Sequence, residues 1–187
     1  MQYCTAVDGA LLMFQYLMLG WKEDTGEATN EVYELDLLTT GWIKRSPIQR
    51  ARCYSAAQCN VQGDILLLGG GSSPYRQADV YSDCLIRPFD RDEWLESVIP
   101  PMSQVRCGHA AVTLLSDQVL VAGGYSGGFD YMCSAEMLDR NLDRWVALPP
   151  MQRSRSGMAA VLSPFGSVYI AGGGWVDILP YSSSSEC

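Results

Sequence analysis

The sequence predicts an all-β fold made of repeated units of four short antiparallel strands. Two observations carry this prediction. Glycine pairs recur after short apolar runs, beginning at Gly69, Gly123 and Gly172. Turn-forming residues separate the apolar runs at regular intervals, and the hydrophobic period of an amphipathic helix is missing. Both features are typical of short strands joined by tight turns.

Three segments of the chain can be superimposed: 47–71, 101–125 and 150–174. In each segment an arginine lies 17 residues before the glycine pair, and an alanine pair begins 13 residues before it. The arginines are Arg52, Arg106 and Arg155, and the alanine pairs are 56–57, 110–111 and 159–160. The period of 49 to 54 residues is typical of four-stranded β-propeller blades.

Each repeat also contains a tryptophan: Trp42, Trp94 or Trp145. Asp36 and Asp139 lie six residues before Trp42 and Trp145. We therefore predict four strands per blade, namely the Ala-Ala segment, the run ending in Gly-Gly, the Glu-to-Asp segment and a strand around the tryptophan. The tryptophans are expected to fill space between adjacent blades.

The glycine pairs are expected to be structural, giving positive φ and room for a neighbouring chain. The residues concerned are Gly69, Gly70, Gly123, Gly124, Gly172 and Gly173.

The repeat predicts one partial propeller over 1–187. Its blade units are approximately 1–50, 51–103, 104–152 and an incomplete 153–187, with a degenerate first unit in which Tyr3 occupies the place of the arginine. Propellers have about four to eight blades, so we expect an incomplete ring of about three and a half blades. Because unpaired strand edges invite aggregation, we expect the chain to be a segment of a longer protein.

The order R-x-G-x-A-A, Gly-Gly, E-x-x-D, W and P-M resembles the kelch repeat. SAEMLDRNLDRWVALPPMQRSRSG (134–157) is most similar to the kelch domains of BTB-kelch proteins. The resemblance implies a protein-interaction module that recognises substrates for a cullin-3 ubiquitin ligase and reaches the cullin only through domains outside this chain. A cytoskeletal scaffold, for example an actin-associated one, is the alternative, and a metal-free enzyme similar to sialic-acid mutarotases is the third.

The resemblance also implies a binding face. In kelch-like adaptors, arginines at the positions of Arg52, Arg106 and Arg155 line the face that receives a peptide, often an acidic one. They are expected to form a ring of guanidinium groups that bond to partner carboxylates. Replacing Arg106 and Arg155 by Ala would then weaken partner binding and leave the melting temperature nearly unchanged.

The loops after the glycine pairs are the second candidate surface, because they vary between repeats and carry aromatic residues among Ser and Gly. Such composition suits protein recognition. The candidate partner-binding residues here are Tyr75, Arg76, Tyr125, Phe129, Tyr131 and Trp175.

Composition limits the other functions. The net charge is −8 and the pI about 4.5, which argues against nucleic acid or an anionic membrane as the partner. The seven cysteines include no CxxC pair, and the chain has one histidine, so no metal or cofactor is predicted. Scattered thiols suit a reducing compartment, and we expect a cytoplasmic or nuclear location.

His109 beside Cys107, ahead of Gly123, invites a catalytic or phosphate-loop interpretation. A phosphate loop requires Lys and Ser or Thr at fixed offsets, and YSGGFDYMC follows Gly124 instead. Sister repeats place Ser55 and Met158 where His109 stands, which favours a structural position. Copper sites of the galactose-oxidase type need more histidines than one. The sequence therefore predicts a protein that is not itself an enzyme.

Overall fold

The structure of the protein, a computed structural model, describes residues 4–7, 15–18, 20, 22, 27–36, 38–73, 78–128, 130–139 and 141–174. Within these ranges the protein is all-β, with three four-stranded antiparallel sheets and one hairpin. The predicted fold class of four-stranded blades is confirmed. No helix in this part of the chain is long and apolar enough to span a membrane.

The strands follow one another in order within each sheet, as antiparallel meanders. The first sheet contains β1 (Cys4–Val7), β2 (Gln15–Met18), β3 (Val32–Asp36) and β4 (Gly41–Arg45). The second contains β5 (Ala56–Cys59), β6 (Ile65–Gly71), β7 (Val80–Arg87) and β8 (Leu95–Ile99). The third contains β9 (Ala110–Thr113), β10 (Val119–Ala122), β11 (Ala135–Leu138) and β12 (Trp145–Leu148). The hairpin consists of β13 (Ser156–Leu162) and β14 (Val168–Gly174).

The first strand of each sheet lies next to the first strand of the following sheet, so that β1, β5, β9 and β13 are neighbours in series. The Gln58 side chain joins β5 to β9: it donates to the Ala111 carbonyl at 3.0 Å and accepts from the Thr113 N–H at 2.9 Å. Ala57 and Ala111 are buried where these inner strands crowd together. The sheets are thus propeller blades around one axis, and the described blades do not close into a ring.

The cores lie between blades rather than within them. Every residue of β6 is buried, because blades cover both of its faces. Ile65 and Leu67 pack with Val32 and Ile48 of the first blade, whereas Leu66 and Leu68 pack with the third blade. Side chains alternate across a strand, which explains a continuous apolar run. Burying each leucine contributes about 1.5–3 kcal/mol.

Two aspartates explain the repeated Asp-to-Trp spacing. The Asp36 carboxylate accepts the Leu38 N–H at 2.9 Å, and the Asp139 carboxylate accepts the Asn141 N–H at 3.1 Å. Both close the turn before the outer strand in the manner of Asx turns. In both blades the tryptophan of the outer strand therefore lies opposite the leucine that precedes the aspartate: Trp42 is opposite Leu35, and Trp145 is opposite Leu138.

The tryptophans at 94 and 145 reach the end of the preceding blade. The Trp94 indole N–H donates to the Ser46 carbonyl at 3.2 Å, and that of Trp145 donates to the Pro100 carbonyl at 2.9 Å. Each ring also packs against a core cluster between blades. Trp42, on the first blade, is exposed.

Candidate interaction surface

The three repeated arginines sit where one blade passes to the next, and each bonds to the first glycine of its own blade's pair. The Arg52, Arg106 and Arg155 guanidinium groups donate to the carbonyls of Gly69, Gly123 and Gly172 at 3.0, 2.8 and 3.1 Å. The constant 17-residue spacing in the sequence is thus the separation between the arginine that donates this hydrogen bond and the glycine that accepts it.

Arg106 makes the most complete set of contacts. Its Nε donates to Glu136 Oε1 at 3.1 Å, and its two terminal nitrogens donate to the Ser134 carbonyl and the Ser134 hydroxyl at 3.1 and 2.9 Å. The second Glu136 oxygen accepts the Ser103 N–H at 2.9 Å. Burial lowers the pKa of Arg106, while Glu136 opposes that shift. Arg106 is therefore the centre of a buried, hydrogen-bonded ion pair.

Arg52 repeats this arrangement in the second blade with a different acid. Its terminal nitrogen donates to Asp83 Oδ2 at 2.7 Å, and its guanidinium lies 5.3 Å from the centre of the Tyr81 ring. Its Nε is buried without a hydrogen-bond partner. The pair is accordingly less well satisfied than that of Arg106.

The expected ring of surface guanidinium groups is not what the structure contains. Arg52 is 0% exposed and Arg106 is 1% exposed, because their own glycine carbonyls and the acids of the third strand draw both side chains into the blade. Only Arg155 is partly accessible. Direct contact of Arg52 and Arg106 with a partner is therefore corrected to an internal, blade-joining role.

The backbone of each arginine turn completes the joint between blades. The Arg106 carbonyl accepts the Gly70 N–H at 2.8 Å, and the Arg155 carbonyl accepts the Gly124 N–H at 2.9 Å. A Cβ on Gly69 would lie 2.5 Å from the Arg106 carbonyl oxygen. Glycine is required here because the next blade's backbone occupies that space.

The predicted structural glycines all have positive φ, from 54° to 104°. They are Gly69, Gly70, Gly123, Gly124, Gly172 and Gly173. In the second and third blades the first glycine of each pair lies against the arginine turn of the next blade. For the hairpin β13–β14, the last described element, close approach of a following blade stays a prediction. There Gly172 and Gly173 are exposed, and a Cβ on Gly173 would lie 3.0 Å from the Ser156 carbonyl oxygen. The group that crowds Gly173 thus belongs to its own hairpin, because β13 runs directly beside β14.

The loop after β10 is fixed to the same end of the blades. Tyr125 and Cys107 exchange backbone hydrogen bonds at 2.9 and 3.0 Å. The rings of Tyr125 and Tyr131 lie 5.5 Å apart, and the Ser126 hydroxyl donates to the Asp130 carboxylate at 2.6 Å. Both tyrosines are half-buried, so part of each side chain is accessible. Four other candidates lie outside the described residues: Tyr75, Arg76, Phe129 and Trp175.

Accessible cations also lie on these connections, two residues before the repeated arginines Arg52 and Arg155. Arg50 is exposed and sits 4.8 Å from the centre of the Tyr81 ring, and Arg153 is exposed beside half-buried Arg155. We call the accessible set the connection surface; it consists of Arg50, Gln104, Tyr125, Tyr131, Arg153 and Arg155. It offers guanidinium groups and partly accessible tyrosine side chains, and hydrogen bonds hold the backbone that carries them. This arrangement is suited to binding a protein segment.

His109 and Cys107 do not form an activated pair. Burial, with a contribution from Arg106, lowers the pKa of His109 to about 3, and burial raises the pKa of the Cys107 thiol to about 12. The thiol and the imidazole thus both stay neutral near pH 7, and a cysteine nucleophile requires the thiolate. No group of three metal-ligating side chains occurs in the described parts of the chain.

The two ring nitrogens of His109 are buried without hydrogen-bond partners. Replacing His109 by Met, as in the sister position Met158, is expected to raise the free energy of unfolding at pH 7 by about 1–3 kcal/mol, because unpaired buried polar atoms are removed. The folded-state pKa lies below the ordinary value of 6.5, so unfolded chains take up a proton first as the pH falls. Wild type should lose stability between about pH 6.5 and 3.

Urea unfolding of both proteins at pH 7 and pH 5 measures this effect. The difference in the free energy of unfolding between His109→Met and wild type should be about 2 kcal/mol larger at pH 5 than at pH 7, because the pKa of His109 is lowered in the folded protein. A constant difference between the two proteins at both pH values would contradict it. Because the chain contains no other histidine, the difference reports this side chain.

Comparison with known proteins agrees with this geometry. Residues 106–152, which run from the Arg106 turn through β12, match the kelch motif. No curated protein matches the chain significantly. Among the solved structures with a similar fold is "Structure of YjhT", with a TM-score of 0.74 over 93% of this chain at 14% identity. At that identity the likeness shows the fold alone, a kelch-type β-propeller. The chain spans 59% of the length of the YjhT chain.

The fold match corrects one prediction. The sequence predicts a protein that is not itself an enzyme, and the likeness to YjhT overturns this. Kelch-type propellers include enzymes as well as interaction modules, and function resides in sites rather than in folds. The shared architecture therefore gives no ground for excluding catalysis.

Proposed function

We propose that this propeller recognises protein substrates for a cullin-3 ubiquitin ligase, in the cytoplasm or the nucleus. The single observation that carries the proposal is the connection surface at the blade joints. Its two tyrosines, Tyr125 and Tyr131, lie within the segment 106–152 that matches the kelch motif, and its other residues flank that segment. The similarity of 134–157 to BTB-kelch proteins supports the ligase assignment. Contact with the cullin is assigned to domains outside this chain.

The chemistry of the substrate follows from the accessible charges on this surface. Arg50 and Arg153 are exposed and Arg155 is half-buried, whereas Arg52 and Arg106 are neutralised internally. Guanidinium groups form bidentate, charge-assisted bonds with carboxylates. A protein segment carrying Asp or Glu near an aromatic or aliphatic anchor is the substrate that this surface fits.

Co-precipitation of cullin-3 with tagged full-length protein tests the ligase assignment. We expect cullin-3 to be recovered with the full-length protein and not with residues 1–187 alone. Recovery with neither would contradict the assignment, and so would equal recovery with both. The control for the surface is Arg50→Glu combined with Arg153→Glu, which should reduce ubiquitylated substrate in the precipitate and leave cullin-3 unchanged.

A further inference from the structure

A second surface lies at the opposite end of the blades, where the inner hairpins turn. The turns at 60–64, 114–118 and 163–167 share one construction. In each turn the N–H of the first residue donates to the carbonyl of the fifth residue. The carbonyl of the first residue accepts the N–H of the fourth residue. The fourth residues are Gly63, Asp117 and Gly166, all with positive φ. Such turns hold their second and third residues outward at the tip.

Large apolar side chains occupy these exposed tips. Val61 is 73% exposed, Leu115 is 71% exposed and Phe165 is 95% exposed; Phe89, in the turn between β7 and β8, is 61% exposed. Polar residues are the usual choice at such tips. Single exposed apolar residues on a surface are ordinary, whereas several on neighbouring turns can serve as a binding site.

Contacts join the four tips across three blades. Phe89 packs on Gly63, since a Cβ there would lie 3.0 Å from its ring, and Leu115 lies within 3.9 Å of the equivalent position on Gly166. The Asp117 carboxylate accepts the Val61 N–H at 2.8 Å, which ties the second blade to the third. The turns that carry Val61, Phe89, Leu115 and Phe165 are thus neighbours. We call these four exposed apolar side chains, one strip across neighbouring turns, the turn surface.

The turn surface is surrounded by negative charge. The turns at 60–64, 88–94, 114–118, 139–144 and 163–167 contain seven acidic residues and three basic ones. Three of the carboxylates, Asp90, Asp92 and Asp139, are in ion pairs with arginine, and the other four are the main source of the negative charge. Asp90 and Glu93 are exposed beside Phe89. An acidic rim repels anionic lipid, nucleic acid and a second copy of the same acidic surface. It attracts Lys and Arg, and the strip accepts the apolar side chains between them.

We propose that the turn surface binds a segment of a partner protein in which aliphatic or aromatic residues are flanked by Lys or Arg. This partner is distinct from the acidic substrate assigned to the connection surface, and the two surfaces lie at opposite ends of the blades. One propeller can then hold a substrate and a basic partner together. The inference does not depend on the ligase assignment.

Fluorescence anisotropy with the purified chain and labelled synthetic peptides tests the proposal. The probe alternates Leu and Lys, and its matched controls alternate Ser with Lys and Leu with Glu. We expect the Leu–Lys peptide to bind, and to bind roughly ten-fold more weakly to the double variant Val61→Ser, Leu115→Ser, since loss of apolar anchors has that effect on binding. Removing negative charge from the rim with Asp90→Asn and Glu93→Gln should also weaken binding of the Leu–Lys peptide.

A matched double variant controls for lost apolar area elsewhere. Val98→Ser with Val146→Ser removes exposed valines from the outer strands β8 and β12, and it should bind the Leu–Lys peptide as wild type does. Thermal melting checks that each variant is folded. Equal binding of the Ser–Lys peptide, or equal loss in the two double variants, would overturn the proposal.

Two other occupants have their own signatures, and either would also overturn it. If a second copy covers the strip, sedimentation shows a dimer that Val61→Ser with Leu115→Ser dissociates. If lipid covers it, the chain binds phosphatidylcholine vesicles and the same variant does not. The cullin-3 experiment has no bearing on these measurements, so failure of one proposal leaves the other standing.

Discussion

Replacing Arg106 by Met is expected to lower the free energy of unfolding by about 3–5 kcal/mol, the loss typical of breaking a buried ion pair. The variant leaves the Glu136 carboxylate buried without its cation, with the Ser103 N–H still donating to it. It also leaves the Gly123 carbonyl without its guanidinium donor. Urea unfolding followed by tryptophan fluorescence measures the loss.

Two further variants separate the ion pair from the loss of side-chain packing. Arg155→Met removes one bond from a half-buried side chain and should cost about 1 kcal/mol or less. The double variant Arg106→Met, Glu136→Leu should recover part of the stability, because apolar groups of similar volume often replace a buried pair well. An Arg106→Met protein as stable as Arg155→Met would refute the buried-pair assignment.

The blade pattern was predictable because strand period and turn chemistry are local. The Asp-to-Trp spacing corresponds to an Asx turn, and the glycine pairs correspond to positive φ at strand ends, both of which are local features. The sequence also located the arginine positions correctly along the chain. What it did not specify was the direction of the guanidinium groups, since a turn residue has solvent on one side and the blade on the other.

A signal for the buried arginines was nevertheless present. Asp83 follows Arg52 by 31 residues and Glu136 follows Arg106 by 30. An acid on the third strand at nearly constant distance from an arginine turn indicates an internal pair, because buried charges require partners. Together with the constant 17-residue separation between each arginine and its glycine, this pairing predicts that Arg52 and Arg106 are buried and stabilise the blades rather than contact a partner.

The turn surface shows the opposite limit of sequence reasoning. Val61, Leu115 and Phe165 lie at comparable places in their repeats, yet an apolar residue in a β protein is ordinarily assigned to the core. Only the geometry of the three equivalent turns shows that these side chains point outward, and only the contacts at Gly63 and Gly166 show that neighbouring tips meet. Contiguity across blades is a property of tertiary structure.

Replacing Gly123 by Ala is expected to lower the free energy of unfolding by about 2–5 kcal/mol, from the combined cost of positive φ and overpacking. The backbone there has φ of 62°. The new Cβ would lie 2.6 Å from the Arg155 carbonyl oxygen, which cannot withdraw without losing the Gly124 N–H it accepts at 2.9 Å. Chemical denaturation measures the loss.

Gly172→Ala is the matched control, because it makes the same change at the equivalent position of the hairpin β13–β14. Its φ is 74°, and no described heavy atom lies within 4 Å of the new Cβ, so only the backbone strain of about 1–2 kcal/mol remains. The excess loss in Gly123→Ala therefore measures the close contact between the third blade and the arginine turn that follows it. Equal losses in the two variants would show that the glycine pair is needed only for its backbone conformation and that the blade joint tolerates a side chain.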